Sequence, residues 1–584
     1  MQSKLHKNLS YCLIGLVLLC YLFNGGNASF VTQGVMITTV VLALCAIPLI
    51  KFDLGSKTLV PIALIVLYAT MQLITARVTY AATQDVALLF CYMVFAIAVT
   101  IVRPNKETIL RVISILTLVA AGTGILQYIT ASSWIPSIMG NYDSPMKDRS
   151  SAMFFNPNYL GVISAIGSII LFVQSVGAQQ LNKRAIITLC VTIAGIAVSG
   201  SRGSILAFVV AITVTSLLLA RDRTLRKTLA IYCIIAVAWL GIASLIHGNA
   251  FKRSATNLNT AGVSSQQIAT KNVGESLRLA CWKGAISLWK TSPIVGVGPR
   301  MFDLRWHEVQ PEAVQGVAVR VHNLWLQTLT EYGLCGLVLL LALILPLLFQ
   351  KPASTTQIAI IGWVIVQLCY ETFDFSCYTP LFGLLLVTGL ALLSKPVEIT
   401  KCKAHQYTNQ IVLVLMLPVS IWLLKYAVLD IGKTAALKAA QTTNDKAVFT
   451  KEINKAFKYQ PGANDVHLLY CKFLVNMELR KKQPNREWTP VLNAINLLLE
   501  INPYTIEGHY LAAIVDEQLK KGAGTKEIQL LSKQAPNSCK AAALIYKYYS
   551  GCSLTNEATI WKNRMDHLLE YKSENFFEPA SSSL

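Results

Sequence analysis

From about residue 9 to residue 430 the chain is a series of apolar runs, each roughly 16 to 27 residues long. A helix of about 20 apolar residues crosses a hydrocarbon core of about 30 Å, so most of these runs are long enough to span. The composition agrees, since 54% hydrophobic against 14% charged residues places the 584-residue chain in the membrane class. The expected spans are approximately 9–24, 30–50, 58–76, 85–102, 108–129, 157–178, 184–200, 203–220, 228–247, 324–350, 357–375, 378–394 and 410–429. The fold class expected is therefore all-α and polytopic, with about thirteen transmembrane helices. Lys4 and Lys7 precede the first run as in a signal peptide. No small-x-small cleavage site follows, and Asn24-Gly25-Gly26-Asn27 leads into the next run, so the first helix is expected to be retained.

The formal charge of +21 does not point to nucleic acid. Lys4 with Lys7, Lys51 with Lys57, Arg103 with Lys106 and Arg111, Lys183 with Arg184, Arg221 through Lys227, Lys351, and Lys395 through Lys403 recur at every second link, which marks those links as cytoplasmic. An odd number of spans starting inside puts the C-terminal tail outside. The segment 130–156, the turn Ser199-Gly200-Ser201-Arg202-Gly203 and the long loop 248–323 fall on the same side.

After residue 430 the composition becomes that of a soluble helical domain, giving a division into a transmembrane domain, 1–429, and an outer helical domain, 430–584. Pro461, Pro503 and Pro536 each precede a helix-like run, at spacings close to tetratricopeptide helix pairs; an irregular helical bundle fits as well. The fourteen cysteines are scattered without metal-ligand spacing, and in the tail at most one pair of Cys471, Cys539 and Cys552 could bridge. No metal or cofactor is expected.

Three places carry candidate chemistry. Arg202, in a turn of small residues between two spans, either snorkels to outer headgroups or presents a planar guanidinium to an anion. The loop between His247 and His322 holds Lys252, Arg253, Lys271, Arg278, Lys283, Lys290, Arg300, Arg305 and Arg320 against four carboxylates, Glu275, Asp303, Glu308 and Glu312, so it would attract a diphosphate. Within it Glu275–Trp289 reads as an amphipathic helix, on which Arg278 is a solvated charge or a ligand for that anion. Ser292-Pro293-Ile294-Val295-Gly296-Val297-Gly298-Pro299 reads as a turn, since no βαβ unit surrounds its glycines. His322, at the outer start of the next span, either bonds a neighbouring carbonyl or takes a proton from a hydroxyl. Glu331 falls about half a turn round the helix and is expected to face elsewhere.

Arg278 with Trp282, the Ser292–Gly298 turn with Phe302, and His322-Asn323 with Leu326-Gln327, Glu331 and Gly333 together resemble the core of the superfamily of O-antigen ligases, O-antigen polymerases and bacterial protein O-oligosaccharyltransferases. Ser201-Arg202-Gly203 and Phe155-Asn156-Pro157-Asn158-Tyr159-Leu160-Gly161 resemble two earlier segments of that family, so the likeness covers about residues 149–336. The resemblance implies a GT-C-like membrane enzyme without a metal, moving a glycan from undecaprenyl diphosphate to an acceptor hydroxyl at the periplasmic face of the bacterial inner membrane. It implies catalytic roles for His322, Arg202 and Arg278, with Arg320, Arg300, Asn156, Asn158 and Asn323 binding substrate. Lipid A core, a protein side chain or a growing glycan could each be the acceptor. A polysaccharide polymerase is the alternative enzyme, and a lipid-linked glycan transporter the alternative outside enzymes, although no half-to-half repeat favours a transporter. The sidedness is testable: in a cysteine-free background, Ser582→Cys should react with an impermeant maleimide in intact cells. Reaction only after the inner membrane is broken would reverse the orientation.

Overall fold

The computed structural model describes residues 2–22, 29–47, 52–53, 56–130, 149–154, 156–179, 181–247, 273–312, 314–394, 397–398, 403–483, 485–519 and 524–569. Phe155 and the basic residues Lys252, Arg253 and Lys271 lie outside them. A helix stands at each of the thirteen expected spans: α1 (Gln2–Leu22), α2 (Ser29–Ala46), α3 (Ser56–Ile74), α4 (Thr79–Val102), α5 (Lys106–Thr130), α6 (Pro157–Gly177), α7 (Lys183–Ser199), α8 (Arg202–Leu219), α9 (Arg226–His247), then α13 (Leu324–Leu348), α14 (Thr355–Tyr370), α15 (Pro380–Leu393) and α16 (Lys403–Thr442). Between α9 and α13 lie α10 (Val273–Trp289), α11 (Met301–Leu304) and α12 (Trp306–Val309). The tail is α17 (Lys446–Tyr459), α18 (Asn464–Arg480), α19 (Trp488–Ile501), α20 (Ile506–Leu519), α21 (Thr525–Gln534), α22 (Cys539–Gly551) and α23 (Thr555–Leu569). Among the described residues, seven helices are long and apolar enough to cross a membrane and four more are shorter apolar helices. The protein is an all-α, multi-pass membrane protein. Its only sheet among the described residues is a two-residue antiparallel pair, β1 (Phe52–Asp53) with β2 (Val397–Glu398).

The chain folds as two compact units. One comprises Met1–Val66, Leu88–Ala261 and Val338–Ala427. Its centre is α6, buried along most of its length and packed against α5, α7, α8 and α14. Apolar lipid gives helices little hydrophobic reason to associate, so close contact comes from small residues and short polar bridges. A Cβ on Gly167 would lie 2.4 Å from the Thr117 side chain, and one on Gly195 would lie 2.6 Å from Ser164 Oγ. Ser168 donates to Thr192 Oγ1 at 2.9 Å, and Trp363 donates to Gln367 Oε1 at 2.8 Å while Gln367 reaches the Phe382 carbonyl at 2.9 Å. The span expected to run to residue 375 ends instead at Tyr370. Glu371 accepts from Ser376 Oγ and the Cys377 amide, and Asp374 accepts from the Phe375 amide, so carboxylates bind the backbone in place of helix bonds.

The other unit comprises Leu67–Ala87, Gly262–Leu337 and Val428–Leu584. The composition change near residue 430 falls inside the continuous helix α16. In this unit Lys433 is buried between Asp430 (3.7 Å) and Asp465 (3.0 Å), over the ring of Tyr80, whose hydroxyl donates to Asp430 at 2.7 Å. Tail helices follow one another as packed neighbours, with α18 also touching α20 and α20 touching α22. His467 bonds the Pro461 carbonyl at 2.7 Å and His509 the Pro503 carbonyl at 3.0 Å, the same local device in two successive hairpins. Glu507 ties Lys472 (3.2 Å) to Lys540 (2.8 Å); burial pushes its carboxyl up, but the two lysines hold it below the usual range. Cys471, Cys539 and Cys552 form no disulfide.

The small-residue packing predicts a sharp contrast. Gly167→Ala should destabilise the detergent-solubilised protein by about 1–3 kcal/mol through overpacking. Gly241→Ala, with open space where its Cβ would go, should be neutral or slightly stabilising. Thermal unfolding of both variants checks this, and equal midpoints would remove the packing role of Gly167.

Candidate active site

In the first unit, four helix ends meet around Asn158. Asn156 caps α6 by accepting from the Asn158 amide at 2.9 Å, and Pro157 takes the first helical position, where its missing N–H costs nothing. Asn158 then donates to Asp374 at 3.1 Å and accepts from Arg149, whose Nε donates to the Ser199 carbonyl at 2.6 Å. Tyr370 donates to Asp374 at 2.6 Å. Gly200 closes α7 in left-handed backbone (φ 60), with the Arg149 side chain lying where a Cβ would point. Ser201 caps α8, and Arg202, exposed, is its first residue. A guanidinium at the positive end of a helix dipole adds to that field, so the turn favours an anion.

In the second unit the loop is a folded module. Cys281, Ala285 and Leu288 of α10 pack against Phe302, Trp306 and Val321, so the helix bearing half-buried Arg278 shares a core with the segment that ends one residue before His322. Trp306 is fully buried and donates to the Gly316 carbonyl at 3.0 Å. The module meets the tail through Gln315, which donates to the Asn537 carbonyl at 2.9 Å and accepts from the Cys539 amide at 2.8 Å. Arg564 bonds Glu312 and holds its carboxyl below the usual range.

Arg320 is buried and forms a two-pronged pair with Asp85, 2.6 Å along each prong. Arg300 lies 3.9 Å from the same carboxylate and bonds Asp303 at 2.7 Å. Burial pushes the Asp303 carboxyl up, with Arg300 and Arg320 opposing. His322 follows Arg320 and Val321 in left-handed backbone (φ 57), which non-glycine residues seldom adopt. Asn323 accepts from the Leu326 amide at 3.0 Å and so caps α13. The imidazole is thus half-buried at the mouth of α13, between a clamped arginine and a helix cap. His307 is bound to Gln310 at 2.9 Å and burial pushes its pKa down.

Below this mouth α13 breaks at Gly333 (φ 66, ψ −168), and the Pro293–Gly298 segment fills the break. Val297 and Gly298 donate to the Thr330 and Glu331 carbonyls at 2.9 and 3.0 Å, while Leu334 and Cys335 donate to the Pro293 and Ile294 carbonyls at 3.0 and 3.1 Å. A Cβ on Gly333 would lie 2.2 Å from the Ile294 oxygen, and one on Gly296 would lie 2.4 Å from the Glu331 carbonyl carbon. Both glycines are needed for the interlock. Glu331 is buried and accepts from the Phe302 amide at 3.3 Å, so its side chain is directed at the loop module.

Residues 187–341 match the family model described as O-antigen ligase. The chain carries an O-antigen ligase family domain. That match supports, at the level of the family, a membrane glycan-transferring, glycosyltransferase-like function. No curated protein matches the chain. The ligase-family domain includes Arg202, Arg278, Arg300, Arg320, His322 and Asn323; Asn156 and Asn158 precede it.

The structure brings Asn156, Asn158 and Arg202 into one unit and Arg278, Arg300, Arg320, His322 and Asn323 into the other. Sequence reasoning missed Asp85, Arg149, Glu371 and Asp374. For the three carboxylates the signal was present, since a lone acid at the edge of an apolar helix is expensive and needs a partner. Asp85→Ala should strand Arg320 and cost about 3–5 kcal/mol, whereas Arg305→Ala breaks a half-exposed pair with Glu308 worth under about 1 kcal/mol. Chemical denaturation of the two variants in detergent should separate them clearly; similar midpoints would mean Arg320 is held by other contacts.

Proposed function

We propose that this protein transfers a glycan from undecaprenyl diphosphate to an acceptor hydroxyl at the periplasmic face of the inner membrane. The observation that carries the reading is the strained, left-handed His322 at the mouth of α13, inside the segment that matches the ligase family. Non-glycine residues in such backbone are held there by their surroundings and cluster at functional sites.

The chemistry follows from the side chains. An acceptor hydroxyl is a weak nucleophile until its proton leaves, and His322 takes that proton as the acceptor oxygen bonds the anomeric carbon. The bond from that carbon to the phosphate oxygen breaks, and its electron pair leaves with the diphosphate. Arg202, at the positive end of α8, and Arg278 on α10 neutralise the departing charge. One displacement of this kind inverts the anomeric centre. Arg320, closed on Asp85, acts by fixing the residue two positions before His322, and Arg300 beside it adds positive potential. Asn156 and Asn323 hold helix starts in place, and Asn158 links Arg149 to Asp374.

The test is donor binding measured beside single-turnover transfer, using purified protein and lipid-linked glycan, with the acceptor product identified by mass. His322→Ala should lower transfer by about 10²–10⁴-fold while donor affinity changes little. Arg202→Lys and Arg278→Lys keep the charge but lose the planar fork, so both should weaken donor binding or transfer. Transfer by His322→Ala at the unaltered rate would remove His322 as the base.

A further inference from the structure

The Pro293–Val297 segment, read from the sequence as an outer turn, is hydrogen-bonded to the break in one apolar helix, α13, and to the last turns of another, α3. Leu334, whose amide binds the Pro293 carbonyl, is the first residue after the break in α13 at Gly333. A second apolar helix fixes the other side. Tyr68 Oη of α3 lies 2.7 Å from the Tyr332 carbonyl and 3.0 Å from that of Val295, and Gln72 donates to Val295 at 2.5 Å.

The surface around these bonds is apolar. Ile294 is 64% exposed and Val295 is exposed beside it; on the supporting helices Leu334 is 52% exposed and Ile74, two residues beyond Gln72, is 79% exposed. Leu67 and Met71 extend the same exposed strip along α3. The segment from Ser292 to Pro299 carries no charge; exposed Lys290 precedes it, and Arg300, which follows it, is paired with Asp303. Irregular backbone is tolerated at membrane depth only where protein groups bond it. Here the broken backbone of α13, Tyr68, Gln72 and Trp289, which donates to the Pro293 carbonyl at 3.0 Å, supply those bonds.

We infer that residues 293–297 form a re-entrant loop whose Ile294–Val295 tip contacts lipid acyl chains. Acyl chains are the occupant because the tip is continuous with the exposed apolar sides of α3 and α13, which the bilayer itself covers. The inference does not depend on glycan transfer.

The full-length protein, carrying p-benzoyl-phenylalanine at Ile294 and separately at Val295, is reconstituted into phosphatidylethanolamine–phosphatidylglycerol vesicles with deuterated acyl chains and irradiated. Leu334 serves as the lipid-facing reference and Val317, exposed on the loop module, as the water-facing one. Only monodisperse preparations are compared. Acyl-chain adducts at Ile294 or Val295 in the yield seen at Leu334, and at least about tenfold above Val317, are expected for a side chain at hydrocarbon depth. Yields at both positions matching Val317, or adducts on polypeptide instead of lipid, would overturn the re-entrant assignment.

Discussion

A backbone amide or carbonyl at bilayer depth has no water to bond, and at two departures from regular helix in this protein, Gly333 and the turn after Tyr370, a protein group replaces the lost bond. The break at Gly333 is the clearest case. Four backbone hydrogen bonds cross between α13 and the Pro293–Gly298 segment, and the two glycines allow an approach that any Cβ would block. The gap after α14 is handled by carboxylates instead, with Glu371 and Asp374 accepting from the amides of the turn. The same demand accounts for the caps at Asn156, Ser201 and Asn323.

The candidate residues stand on these repairs. His322 lies between a clamp and a cap, the Asp85–Arg320 pair on one side and Asn323 on the other. An ion pair this buried is weak evidence of stability, since desolvating both charges offsets much of their attraction. Its value is in direction: two prongs of 2.6 Å fix the guanidinium plane and with it the backbone leading into His322. Arg202 stands on the Ser199–Ser204 turn, which Arg149 braces through the Ser199 carbonyl. In both units an arginine that binds backbone or carboxylate supports the position of a residue assigned to the chemistry.

Much of the architecture was legible in the residues. Continuous apolar runs of spanning length marked the helices, because a run that meets no polar residue has no reason to stop. Gly200, Pro157 and Asn156 marked ends, because each has a local preference that acts whatever surrounds it. The segment containing Arg202, Arg278 and His322 was recognisable as a candidate site by residue type and order, and it lies within the ligase-family match. The end of α14 at Tyr370 was misplaced because Thr372, Phe373 and Phe375 continue the apolar pattern while the two acids that break it take their partners from the following turn.

What the sequence by itself determined is therefore what depends on near neighbours: helices, caps, turns, the all-α membrane class and the candidate residues. What only the tertiary structure decided is the partner of each buried charge and what each loop packs against. Asp85 and Arg320 are 235 positions apart, and Tyr68 and Val295 are 227 apart. Neither local propensity nor hydrophobic period reaches that far. The partners were chosen by the cost of leaving a charge or a backbone group unpaired in a low-dielectric interior, which is settled only when the helices have packed.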